Sequence, residues 1–455
     1  MNTRSVTLFA APLSAILLFF LLRYLDIGYE IAMTAAITWL TATLWITEAI
    51  PIPATSLIPF FAFPLTNILS YKQVATGLSP VMLLLMGGLM LAKSLEKSGV
   101  HRRFALAALN LIGGRGKRIV FAFMLTAALL SMWISNTATT LILLPIALAV
   151  LKQADNRELS IAVVLGLAYS ASLGGVATLI GTPPNIVFAG IYTEFTGQYY
   201  PFAGWMKTGV PVVILGLPLM ALWLTRNVKW KETLSLPAAE AWRVNEVRVL
   251  VVFGITILLW ITRAAPLGGW SGLIGVTGIG DGHVAMAGVA AMFLVPSGQG
   301  DRLLDWKTAL EIPWSILLFF ISAVVIAKAF SSSGLAELIA QRLAILATLP
   351  VPLLILCICL GVTFLTEITS NIATTALLLP VFAATALAVG VSPELMMIPA
   401  TVSASCAFML PISTVPNAIV FGTGQVTIRE MVREGAILNF ILALVITLVC
   451  CLTLV

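Results

Sequence analysis

The chain has 455 residues, of which 60% are hydrophobic and only 10% charged, with a formal net charge of +6. Soluble domains hold roughly 45–50% apolar residues, so a soluble core is excluded and a polytopic membrane protein is indicated. The small positive excess is no sign of a nucleic-acid partner, because the basic residues cluster in particular loops, as in proteins that obey the positive-inside rule.

Apolar runs approaching the ~20 residues that cross a bilayer predict spans near 7–25, 30–48, 53–69, 80–97, 160–193, 207–225, 247–263, 283–296, 313–330, 393–422 and 435–455. The fold class is all-α, with about eleven transmembrane helices. The first run, after Met-Asn-Thr-Arg, reads as a retained span and not a cleaved signal. Two further apolar stretches, 119–150 and 351–389, are interrupted by Ser135-Asn136 and Ser370-Asn371 and read as re-entrant hairpins. Irregular backbone at membrane depth is tolerable where it is buried in protein or lines a cavity. Residues 100–113 and 335–347 mix charge with apolar residues, and read either as helices lying on the membrane surface or as plain connectors.

Loop charges fit this arrangement with the N-terminus (Arg4) inside. Loop 98–118 carries Arg102, Arg103, Arg115, Lys117 and Arg118; Lys152 and Arg157 follow the first hairpin; loop 226–248 carries Arg226, Lys229, Lys231, Arg243 and Arg248. The opposite loops, 194–206 and 264–282, have no Lys or Arg. A cytoplasmic N-terminus and an external C-terminus satisfy the rule.

The chain repeats itself. SNTATTLILLP at 135–145 returns as SNIATTALLLP at 370–380, and Ala92-Lys93 with Ser98-Gly99 returns as Ala327-Lys328 with Ser333-Gly334. After each hairpin comes a second break, Gly-Thr-Pro-Pro-Asn at 181–185 and Ser-Thr-Val-Pro-Asn at 413–417. An odd number of crossings separates the two starts, so the copies are inverted, an architecture of secondary transporters. The predicted organisation is a scaffold over 1–79, a first repeat over 80–225, a cytoplasmic loop with connecting spans over 226–312, and a second repeat over 313–455. Within the repeats the broken spans are 160–193 and 393–422.

Broken helices free backbone groups: N–H groups at a half-helix N-terminus attract anions, and loose carbonyls can hold a cation. Ser135, Asn136 and Thr137, with Ser370 and Asn371, can donate to carboxylate oxygens; simple helix capping is the competing reading. The prolines place Thr182 and Thr414 on unwound backbone, where with Gly181 and Ser413 they can face the hairpin tips; a proline kink is the bland alternative. Lys93 and Lys328 lie toward span ends and read as snorkelling side chains, which leaves the pocket without a fixed cation. Glu48 and Glu367 are the carboxylates near apolar sequence; for Glu367 a structural hydrogen-bonding role outweighs a proton or cation site. The five cysteines (Cys357, Cys359, Cys406, Cys450, Cys451) lack C-x-x-C spacing and read as small buried hydrophobes. His101 and His283 are isolated, and no organic cofactor is implied.

These motifs, with Thr-Glu-Ala-Ile-Pro at 47–51, resemble the divalent anion/sodium symporter family over nearly the whole chain. The resemblance implies carriage of di- or tricarboxylates or sulfate by an elevator motion of a hairpin-bearing domain against a dimeric scaffold. It implies a substrate site at Ser135, Asn136, Thr137, Thr182, Ser370, Asn371, Ile372 and Thr414. It implies one sodium site at Ser131, Ser135, Asn136 and Gly181, and a second at Thr366, Thr369, Asn371 and Ser413. Two departures stand out: Ile372 where the fullest pattern has threonine, and Val415 in place of the first proline of the second break. The first removes a hydroxyl from the pocket and bears on which anion is chosen. Sodium-driven symport of a C4-dicarboxylate is the favoured expectation, with Na+ as coupling ion and a homodimer in a bacterial inner membrane. A sodium-independent exchanger, a symporter of citrate or sulfate and an anion channel are alternatives; an enzyme would need a catalytic dyad or metal cluster that two lone histidines do not supply.

Overall fold

The structure is a computed structural model that describes residues 3–77, 79–113, 116–154, 156–229, 232–234, 241–263, 269–275, 278–343 and 349–455. Arg115, Lys231 and residues 344–347 of the second surface segment lie outside the described residues. The regular elements described are helices, apart from isolated bridges such as Pro296–Arg302. Eight of them are long and apolar enough to cross a membrane, and six shorter apolar helices accompany them. The segment expected as one span over 53–69 is split into Ile52–Thr55 and Ile58–Leu65, with prolines in both pieces.

The two halves are built alike. The helix Pro80–Ser98 ends at Gly99 (φ +78°) and Trp314–Ser333 ends at Gly334 (φ +80°), a left-handed conformation that glycine adopts without a Cβ penalty. Each turn delivers a short amphipathic helix, Val100–Ile112 and Leu335–Leu343. The apolar stretches that follow divide where the Ser-Asn motifs stand, into Arg118–Ser131 and Asn136–Leu151, and into Val351–Thr366 and Asn371–Ala388. The predicted broken spans stop at Gly175 and Ala404 and resume at Pro183 and Val415. They are unwound over several residues, which is more than a proline kink.

Packing interlocks the halves. Arg157–Gly175 packs on both helices of the first hairpin, and Glu394–Ala404 on both helices of the second. Each resumed helix crosses to the other half: Pro183–Thr196 packs on Asn371–Ala388, and Val415–Phe421 on Asn136–Leu151. The last helices of the halves, Phe202–Leu224 and Ile428–Leu454, pack on each other and are pinned by Thr208 Oγ1 and Thr453 Oγ1 at 3.0 Å.

Around this pair lie Tyr29–Thr47 against Trp314–Ser333, and Asp281–Leu294 against both Pro80–Ser98 and Val244–Ile261. Buried charges are paired, as burial requires: Arg103 Nε donates to both Glu246 oxygens at 3.1 Å, and Arg226 to Glu434 at 2.6 Å. The outer helices turn large apolar side chains outward, for example Phe9, Leu17, Ile214, Leu222 and Leu444. Such a surface is suited to lipid. Cys359, Cys406 and Cys450 are buried as expected, whereas Cys357 is exposed on the outer face of Val351–Thr366.

Candidate functional site

At the first tip the chain leaves its helix at Ser131 and re-enters one at Asn136. Ser135 caps the returning helix, its Oγ accepting from the Ala138 N–H at 3.1 Å, so the capping reading holds for this residue. Ser131 Oγ donates to Asn136 Oδ1 at 2.6 Å, turning that amide oxygen back beneath the tip. The second tip has the same outline and a different interior. Ser370 makes no side-chain cap, and Asn371 Oδ1 accepts from the next N–H, that of Ile372, at 2.9 Å.

The unwound stretches are clamped alike, with one further bond in the second from Asn417 Nδ2 to Ser413 Oγ at 3.2 Å. Asn185 Nδ2 donates to Gly175 O at 3.0 Å and Thr178 O at 2.7 Å; Asn417 Nδ2 donates to Ala407 O at 3.0 Å and Leu410 O at 3.1 Å. Thr182 and Thr414 share extended backbone, φ −145° and −142°. Thr414 Oγ1 accepts from Asn417 N, whereas Thr182 Oγ1 is buried without a partner among the described residues. Losing either amide leaves one carbonyl, Gly175 O or Ala407 O, without its side-chain donor, at a cost of about 1–3 kcal/mol. Asn417→Ala and Asn185→Ala should therefore both lower the thermal unfolding temperature of the purified protein, and to a similar degree. An unchanged melting profile in either would show that the clamp does not hold the break.

Oxygens converge where the first tip meets the first break. A Cβ placed on Gly181 would lie 2.5 Å from Gly175 O and 3.0 Å from Ser131 O; one placed on Gly175 would lie 2.6 Å from Asn136 Oδ1 and 3.1 Å from Gly181 O. Glycine at both positions lets three carbonyls and an amide oxygen crowd together, a donor set that suits a hard cation. Ser131, Asn136 and Gly181 thus lie together, with Gly175 beside them, while Ser135 Oγ is turned to the Ala138 N–H.

The second predicted set is not assembled in this way. No hydrogen bond joins Thr366, Thr369, Asn371 and Ser413 to one another among the described residues: Thr366 donates to Ala404 O, Thr369 shares a 2.6 Å bond with Thr374, and Ser413 donates to Leu410 O. The residue matching Gly175 is Ala407.

Two cavities open at the tips. One, about 330 Å³, is lined by Ser135, Thr137, Gly181 and Pro183; the other, about 320 Å³, by Ser370, Ile372 and Glu48, and Ile316 walls both. The expectation of a pocket without a fixed cation is corrected here. Lys93 lines the first cavity, bonded to Glu96 at 2.7 Å, with Glu311 on the same wall. On Pro80–Ser98, residues 85, 88, 89, 92, 93 and 96 share one helical face, and that face looks into the cavity. Lys328 stays outside it, bonding Thr76 Oγ1 at 2.9 Å and approaching Glu194 at 3.5 Å.

Glu367, between the second leading helix and its tip, is buried and satisfied. Its oxygens accept from the N–H groups of Phe408, Met409 and Leu410 at 2.7, 2.9 and 3.1 Å, and from Asn439 Nδ2 at 2.7 Å. The structural role expected for it is the one it plays. Missed by sequence reasoning were Trp133, Glu96 and Glu311 in the first cavity; an i+3 spacing of Lys93 and Glu96 was the one signal present for any of them.

Helix pairs joined at Ser-Asn tips and helices broken beside those tips, each repeated in the two halves, fit a class, the secondary transporters with internal repeats. A protein-family model described as a citrate transporter matches residues 42–401. The chain is 37% identical to a protein of Staphylococcus saprophyticus named sodium-dependent dicarboxylate transporter SdcS, over 98% of this chain and 90% of that protein. It has the same identity and coverage with the protein of that name from Staphylococcus aureus strain NCTC 8325. In structure it is similar to the YdaH transporter of Alcanivorax borkumensis, with a TM-score of 0.62 at 18% identity over 85% of this chain and 87% of that one. The chain is an integral membrane protein and belongs to the divalent anion/sodium symporter family.

Proposed function

We propose that this protein is a sodium-coupled symporter of a C4-dicarboxylate such as succinate, fumarate or malate, working by elevator-type alternating access as a homodimer in a bacterial cell membrane. In this reading the N-terminus is cytoplasmic and the C-terminus external, and the two hairpins dip from opposite faces. The observation that carries it is the position of Asn136. Its side chain closes the oxygen cluster around Gly175 and Gly181, while its neighbours Ser135 and Thr137 line the cavity. A cation among those oxygens orders the tip and adds positive potential beneath it, so the two ligands favour each other's binding.

The substrate is held by Ser135, Asn136 and Thr137 on one side and by Ser370 and Asn371 on the other, with Thr182 and Thr414 nearby and Ile372 as the apolar member. Ser131, Ser135, Asn136 and Gly181 take one sodium. Thr366, Thr369, Asn371 and Ser413 take another after Asn371 turns away from the Ile372 N–H. Lys93 offers a fixed charge once an incoming carboxylate competes with Glu96. The names of the Staphylococcus relatives support dicarboxylate and sodium. The description of the family model favours citrate as the second reading.

Purified protein in liposomes is expected to accumulate labelled succinate under an inward sodium gradient. Equal uptake in potassium or choline would remove symport, uptake driven by internal dicarboxylate alone would indicate exchange, and preference for citrate would establish the second reading.

A further inference from the structure

The first cavity carries more charge than an anion needs, and most of it has the wrong sign. One ammonium, Lys93, lines it together with two carboxylates, Glu96 and Glu311. The adjoining cavity at the second tip adds a third carboxylate, Glu48, across the shared wall of Ile316. An anion that enters between the tips therefore meets fixed groups that repel it as well as one that attracts it.

The helix Pro80–Ser98 fixes where two of these groups stand. Gly88 lies so close to the first break that a Cβ on it would come 2.9 Å from Ile180 Cγ2. Further along the same face come Lys93 and Glu96, with Nζ and Oε2 at 2.7 Å and each side chain about a quarter exposed. Glu96 thus presents to Lys93 the functional group that a carboxylate substrate would bring. Glu311 comes from a different element, just before the helix Trp314–Ser333, and is exposed. A substrate carboxylate reaches the Lys93 ammonium by displacing Glu96, and the displaced group stays in the same cavity. Every negative charge on the substrate is then repelled by Glu96 and Glu311, so the penalty grows with the number of charges.

Resting on the anion carriage set out above, we propose that Glu96 and Glu311 are specificity-determining residues that favour a dicarboxylate over a tricarboxylate. Glu96 has the larger share, because it also competes for Lys93. Positive potential beneath the first tip draws any anion in, and the two carboxylates grade the anions by charge.

Isothermal titration calorimetry of succinate and of citrate into the full-length protein tests it, at fixed sodium and an alkaline pH where both acids are fully ionised. Glu96→Gln should tighten both ligands, and citrate by about threefold more than succinate, as expected for one extra charge repelled across a wet cavity. Glu96→Asp keeps the charge and should keep the wild-type ratio of the two affinities. Glu311→Gln should shift that ratio toward citrate to a smaller extent. A role confined to holding the helix would change both ligands alike and leave the ratio where it was. An unchanged ratio in Glu96→Gln, or a shifted one in Glu96→Asp, would overturn the proposal and leave anion carriage in place. A wild type that binds neither acid would remove both. If Glu96→Gln does not fold, Glu311→Gln decides alone.

Discussion

Asn136→Ala is expected to abolish sodium-driven uptake while the protein still folds and inserts. The substitution removes the oxygen that joins the carbonyls of Ser131, Gly175 and Gly181, and it leaves Ser131 Oγ without its 2.6 Å acceptor. Stranding a buried polar group costs about 1–3 kcal/mol, and every 1.4 kcal/mol is tenfold in affinity. The sodium concentration that stabilises the purified protein against heat should rise by about 10- to 100-fold. Gly175→Ala should act in the same direction without touching the asparagine, because its methyl would lie 2.6 Å from Asn136 Oδ1 and must push the amide aside. Thermal shift against sodium concentration, beside uptake, checks both variants. A wild-type sodium response in both would take the cation out of this cluster.

Glu367→Gln should have the larger effect on stability. The carboxylate accepts four hydrogen bonds, three of them from consecutive N–H groups of the second unwound stretch. An amide supplies one acceptor oxygen and turns an NH2 toward donors, so at least one buried donor is left facing another. Bonds to a charged group are worth about 1.5–3 kcal/mol each, and breaking such a buried network about 3–5 kcal/mol. The variant should melt well below wild type, and neither sodium nor substrate should restore uptake. A variant that melts normally and only shifts the pH dependence of uptake would instead make Glu367 a proton carrier.

The contrast between the halves shows what the amino-acid pattern could and could not convey. The hairpin breaks and the unwound stretches were legible because they depend on local chemistry: proline at the start of a helix, small polar residues at its cap, and glycine past its end. Their repetition in the same order, at nearly the same offset, made the symmetry legible too. Lys93 was misjudged because its position along a span says how deep it lies, whereas its role depends on which way the helical face is turned. The donors to Glu367 stand 41–43 residues away along the chain, and 72 for Asn439, beyond any local pattern.

The two cation sets looked equivalent because Ser131 and Thr366 both carry hydroxyls. The halves also differ at Ala407, which stands where the first half has Gly175, in a stretch the motif does not cover. Packing at a distance of an ångström or so separates two arrangements that read alike as strings.

The exchange of resumed helices between the halves also has a consequence for biosynthesis. The helix Asn136–Leu151 finds one of its neighbours in Val415–Phe421. At translation rates of about 5–20 residues per second, the ribosome takes on the order of 15–50 s to supply that neighbour. During this interval the helix Asn136–Leu151 must wait without that neighbour in or beside the insertion machinery. Quality-control proteases and membrane chaperones would meet the nascent protein at this stage, so a variant that weakens the crossing contact should appear first as a loss of yield.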